Sequence, residues 1–207
     1  MITIAEYLLG KTTKRGGPDT IIANDDNVKQ IVDDEMKKLG WEADLNHIDT
    51  SQVTDMSGLF RLRPFCGDIS EWDVSNVEYM NSMFNGAIYF NGDLSKWDVS
   101  KVRSMKNMFA AASKFEGHGL RNWKPESVTT SSKMFMDARM FNEDISSWKM
   151  PNNRDYEKMF SKAKAFKQDL SKWKISPYAC TTEMFYDSGM SRNKKLQPQK
   201  DYYETID

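Results

Sequence analysis

Five tryptophans, Trp72, Trp97, Trp123, Trp148 and Trp173, follow one another at steps of 25 or 26 residues, and two phenylalanine columns keep the same beat. One column holds Phe60, Phe84, Phe109, Phe135, Phe160 and Phe185; the other holds Phe65, Phe90, Phe115, Phe141 and Phe166. Ala87, Ala112, Ala138, Ala163 and Ser188 stand three residues after the first column. A period of this length identifies units that bury their apolar faces only against their neighbours. The chain of 207 residues is therefore expected to form one elongated solenoid rather than two compact domains.

Within a unit, Ile69, Trp72, Val74, Val77, Met80, Met83 and Phe84 give the cadence L-x-x-W-x-V-x-x-V-x-x-M-x-x-M-F. The first apolar positions flank a short strand, about W-D-V. The later ones predict a helix from Ser75, with Glu78 completing a capping box and Ser51, Ser100 and Ser127 supplying the same oxygen elsewhere. The expected class is thus an α/β repeat of about six 25-residue units with a helical N-terminal cap.

The phrases DISEWDVSNVEYMNSMF and FNGDLSKWDVSKVRSMKNMF, and the opening DLNHIDTSQVTDMSGLF behind VKQIVDDEMKKLGW, resemble the BspA-type leucine-rich repeats of bacterial surface proteins and mycoplasma lipoproteins, which also occur in bacteriophage genomes. The resemblance spans residues 28 to 190. It implies a right-handed leucine-rich-repeat-like solenoid and protein binding, and it supplies no catalytic residues. Two departures stand out: the methionine column breaks at Ser131, Tyr156 and Thr181, and the export signal of surface-anchored members is not seen.

Four regions are expected. Residues 1–24 read as an arm, with KTTKRGG after a short apolar patch. Residues 25–43 read as a capping helix, with Val28, Ile31, Val32, Met36 and Leu39 at helical spacing and Gly40 at the end. The repeats occupy 44–190, with Ile48 in the tryptophan column of the first unit. Residues 191–207 read as a polar tail that Tyr202, Tyr203 and Ile206 can pin to a surface.

Charge is balanced, 29 Lys+Arg against 30 Asp+Glu, so the footprint of a nucleic-acid binder is lacking. No apolar run is long enough to span a membrane, and no basic leader or small-residue cleavage site marks a secretory signal. Cys66 and Cys180 fall four units apart, roughly 20 Å at one strand spacing per unit, which predicts two unpaired thiols. Asp44, Asp68, Asp93, Asp144 and Asp169 form a ladder. Such a ladder could hold calcium or cap turns, and turn capping is favoured because further acidic ligands are lacking. His47 and His118 have no metal-ligand spacing, and no phosphate loop or nucleophile elbow occurs. No catalytic, cofactor or metal site is expected, and no cofactor.

Between the inward tryptophan and valine of each unit, one residue should face outward. Through the six units this row reads Asp49, Asp73, Asp98, Lys124, Lys149 and Lys174, changing sign at its midpoint. Beside it runs a mixed row, His47, Glu71, Lys96, Asn122, Ser147 and Lys172. A polarised face suits a protein partner of opposite polarity, or a second copy docked antiparallel. The expected function is a non-enzymatic interaction or structural module, first as a virion-associated decoration protein that joins a larger assembly. The alternative is a cell-surface adhesin that binds a host surface protein. The expected location is the virion or the cytoplasm of the producing cell.

Overall fold

The computed structural model describes residues 19–200. In it the units lie one upon the next in parallel. Isolated bridges join Asp55 to Tyr79, Tyr79 to Ser104, Ser104 to Thr130, Thr130 to Asp155 and Asp155 to Cys180. The bridged position is the residue before the methionine column, not the W-D-V segment where the sequence suggested a strand. Among the described residues the regular strands lie at the N-terminal end, where β1 (Ile21–Asn24) pairs parallel with β2 (Ile48–Gln52), which covers the W-D-V position of the first unit.

Along the M-x-x-M-F stretch four backbone hydrogen bonds cross each junction in one direction, while a shorter set just before it, such as the Glu78 and Tyr79 N–H groups to the Thr54 carbonyl, runs the other way. From the first unit to the second, the N–H groups of Met56, Gly58, Phe60 and Leu62 donate to the carbonyls of Tyr79, Asn81, Met83 and Asn85. The pattern repeats down to the last junction, where Tyr156, Lys158, Phe160 and Lys162 donate to Cys180, Thr182, Met184 and Tyr186. The intervening residues close turns on themselves, as in Leu59 to Met56, Arg61 to Gly58 and Arg63 to Phe60. Every second N–H is thus committed to the neighbouring unit and the others to a local turn, so the backbone is satisfied without a helix.

The helix expected from Ser75 does not form. Among the described residues the one α-helix is α1 (Val28–Leu39), with two short 3-10 turns at Leu120–Asn122 and Lys194–Leu196. The reason lies in the spacing of the units. Phe60, Phe84, Phe109, Phe135, Phe160 and Phe185 stack with ring centroids 5.3 to 5.7 Å apart. Neighbouring helices need about 8–10 Å, so units held at this spacing cannot each carry one there. Two residues in each unit take positive φ instead: Ser82, Asn107, Lys133, Lys158 and Glu183 in one column, and Leu62, Ala111, Asp137, Lys162 and Asp187 in the other. Gly58 and Gly86 fill the same two columns with φ of 72° and 71°. A positive φ at the third residue of a turn is the signature of type II, and repeating it every fourth residue forbids a helix.

The tryptophans do more than fill volume. Trp72, Trp97, Trp123, Trp148 and Trp173 each donate the indole N–H to a carbonyl of the preceding unit: Leu45, Ile69, Leu94, Leu120 and Ile145, at 2.8 to 3.2 Å. The first unit has no repeat before it to supply that carbonyl, and there the column holds Ile48, which has no donor to satisfy. Together with the phenylalanines and methionines these residues form one continuous core.

Both ends are specialised. The arm expected over residues 1–24 falls outside the described residues up to residue 18, and its last four residues are β1. Next, α1 buries Val28, Val32 and Met36 and ends where the Gly40 N–H bonds the Met36 carbonyl. Asp33 pairs with Arg63, and Glu35 lies 2.9 Å from His47 of the first unit. At the far end Leu196 packs on the core, Leu170 donates to its carbonyl, and Lys200 bridges Ile175. Residues 191–200 therefore close part of the last unit, while residues 201–207 lie outside the described residues. Both cysteines are free and exposed.

Candidate functional site

The aspartate ladder sits in turns. Oδ1 of Asp44, Asp68, Asp93, Asp144 and Asp169 accepts the backbone N–H two residues on, at 2.8 to 2.9 Å. Hydrogen bonds from Ser146 and Ser171 hold the Asp144 and Asp169 carboxyls below the ordinary aspartate value. Among the described residues no three His, Cys, Asp or Glu come together as a metal site.

The outward row lies where alternation places it, between buried neighbours, but its two halves behave differently. In the acidic half, Asp49, Asp73 and Asp98 each accept the N–H of the serine two residues on, Ser51, Ser75 and Ser100, at 3.0 Å. The Ser100 hydrogen bonds hold the Asp98 carboxyl low, and Lys101 and Lys124 add to the effect. These three carboxylates are structural acceptors as well as surface charges. In the basic half, Lys124, Lys149 and Lys174 are exposed, as is Lys172 of the neighbouring row. Among the described residues none of these four lysines takes part in an ion pair, whereas Lys96 of that neighbouring row pairs with Glu71.

The structure gathers part of this basic half around one hollow of about 550 Å³. Its floor is Trp148, Met150, Tyr156 and Trp173, and Lys149, Lys172, Lys174 and Glu126 stand on its rim. Lys124 and the three aspartates of the row do not line it. The floor is apolar and the rim mainly cationic, the composition of a site that takes an acidic side chain together with an apolar anchor.

Tyr156 is the residue that sequence reading did not place in a site. It occupies the methionine column, is 1% exposed, and its hydroxyl reaches the Met150 carbonyl at 3.5 Å. Burial pushes its phenol up to about 12 against smaller opposing effects of Arg154 and Asn153, so it stays neutral in the floor of the hollow. Behind it, Asn153 donates to the Ser131 hydroxyl at 2.7 Å, both buried. The breaks in the methionine column at Ser131 and Tyr156 were the sequence signal: two adjacent units exchange apolar bulk for a connected polar cluster under the hollow.

The fold defines a repeat protein whose units stack in parallel, each joined to the next by backbone bridges. The family model described as Mycoplasma protein of unknown function, DUF285, matches residues 27–119 and again residues 114–198. The chain belongs to this family, which is associated with BspA-like repeat proteins. No curated protein and no solved structure matches the chain. No helix among the described residues is long and apolar enough to cross a membrane.

Proposed function

We propose that the protein is a non-enzymatic interaction module: a right-handed repeat solenoid whose outward face binds an acidic segment of a protein partner in the hollow rimmed by Lys149, Lys172 and Lys174. The observation that carries this reading is the contrast across one face. The carboxylates are engaged in turns, while the lysines surround an apolar floor without an ion pair among the described residues. Virion display is the proposed setting. The same surface also serves a cell-surface adhesin, since both roles ask for display and capture and neither asks for chemistry.

An array of acidic peptides containing aromatic residues, probed with the wild type and with Lys149→Glu/Lys174→Glu, tests the reading. The wild type should retain a set of peptides that the variant binds at least about tenfold more weakly, with retention falling as salt rises. Thermal unfolding should be nearly unchanged, because both lysines are exposed. Equal binding by the variant would sink the proposal. Capture of single-stranded DNA in preference to acidic peptides would assign the lysines to nucleic acid instead.

A further inference from the structure

The floor of the basic hollow holds three aromatic side chains with a polar hydrogen, and two of those hydrogens are already used. The indole N–H groups of Trp148 and Trp173 donate to the carbonyls of Leu120 and Ile145, at 2.8 and 3.1 Å. The Tyr156 hydroxyl is the third. It reaches across the core from the methionine column to the segment 148–150, where the Met150 carbonyl stands 3.5 Å away. An ordinary O–H···O hydrogen bond is about 2.5–3.0 Å long, so this donor is loosely held although the residue is 1% exposed. A buried hydroxyl in that condition gains from any better acceptor brought into the hollow. On the rim, Glu126 stands among three lysines. Its side chain is exposed, and among the described residues its carboxylate takes part in no hydrogen bond or ion pair. A carboxylate there repels an acidic partner unless it binds something of its own.

We propose that the anchor seated in the hollow is a tyrosine of the partner, selected by its hydroxyl: the phenol oxygen accepts the Tyr156 O–H, and the phenol hydrogen goes to the Glu126 carboxylate. This rests on the reading of the hollow as the site of an acidic segment, and it names the residue that segment must carry. A tyrosine brings an aromatic ring for the apolar floor and, at its tip, both an acceptor for Tyr156 and a donor for Glu126. Phenylalanine supplies the ring and leaves the Tyr156 hydroxyl as loosely held as before. Tryptophan offers a donor without an acceptor. Ionised aspartate and glutamate offer acceptors without a donor, so they belong on the rim against Lys149, Lys172 and Lys174. The partner is therefore a peptide segment in which a tyrosine is flanked by acidic residues. Tyr156 and Glu126 choose the anchor, and the lysines bind its neighbours.

Fluorescence anisotropy with two synthetic peptides and the full chain tests this. One peptide carries a single tyrosine between two pairs of acidic residues, and the other has phenylalanine in its place. The wild type should bind the tyrosine peptide at least about tenfold more tightly, because a site built for a hydroxyl discriminates sharply against the analogue lacking it. Tyr156→Phe and Glu126→Gln should each bring the two affinities within about threefold by weakening the tyrosine peptide alone. Tyr156→Phe keeps the ring; should it fail to fold, Glu126→Gln, at an exposed position, decides alone. Lys149→Glu/Lys174→Glu should instead weaken both peptides together. Equal affinity of the wild type for the two peptides, or a tyrosine preference that survives both Tyr156→Phe and Glu126→Gln, would overturn the inference and leave the hollow as a site for acidic segments. Binding of neither peptide by the wild type would overturn both readings.

Discussion

At the scale of single residues, the feature that sets this protein apart is the use of positive φ by ordinary side chains. Among the described residues ten non-glycine residues adopt it, including Ala111 at 56° and Lys158 at 54°. An L-residue loses roughly 1–2 kcal/mol there, whereas glycine loses about 0.5–1 kcal/mol of chain entropy on being ordered. Ala111→Gly should therefore stabilise the fold by about 0.5–1 kcal/mol, seen as a higher urea midpoint at an unchanged m-value. Gly58 gives the converse, since alanine at its φ of 72° takes on the strain that glycine avoids. The residues in these columns differ from unit to unit, so the conformation is imposed by the ladder around them and not chosen by local preference.

At the scale of elements, the N-terminal cap works by imitation. Asp25 is a side chain doing the task of a backbone: its Oδ1 accepts the Thr54 and Asp55 N–H groups at 2.7 and 3.0 Å, and its Oδ2 accepts the Thr54 hydroxyl at 2.6 Å. In the next unit the equivalent donors, Glu78 and Tyr79, bond the Thr54 carbonyl. Burial alone would raise the Asp25 carboxyl, but these hydrogen bonds outweigh it and leave the group below its ordinary value. Asp25→Ala should cost about 1 kcal/mol near neutral pH, the usual worth of a lost cap. Because the folded carboxyl is the stronger acid, the contribution is fully present above the unfolded aspartate value of about 4 and disappears as pH falls through the folded value. Melting temperatures of wild type and Asp25→Ala measured from pH 7 down to pH 2 should therefore converge at the acid end.

At the scale of the whole molecule, stability is distributed along one dimension, because each unit touches only those on either side. Position along the stack should then set the cost of the same substitution. Phe109 is fully buried and lies between Phe84 at 5.3 Å and Phe135 at 5.7 Å. Phe185 is partly buried, with Phe160 on its inner side. Phe109→Ala should cost about 3–5 kcal/mol, and Phe185→Ala well under half of that. Urea unfolding of the two variants checks the ratio. Equal costs would mean that the last unit is as tightly covered as the third.

The sequence alone determined the number of units, the identity of the core columns, the capping helix and the turn role of the aspartate ladder. Each of these follows from side-chain type repeated at a fixed interval. Whether the M-x-x-M-F stretch would coil as a helix or fold as successive turns was decided only in three dimensions. Its apolar spacing is compatible with both, and the ring-to-ring distance between neighbouring units excludes the helix. The same holds for the candidate site. The lysine row was visible as a periodicity, and the tertiary structure alone separated Lys149, Lys172 and Lys174, brought over the hollow, from Asp49, Asp73 and Asp98, whose carboxylates the backbone engages. Tyr156 entered that site because a break in a column has no meaning until Trp173 and Ser131 of the neighbouring units stand beside Met150 and Asn153 of its own. Periodicity records what each unit contributes, and contacts between units decide what those contributions become.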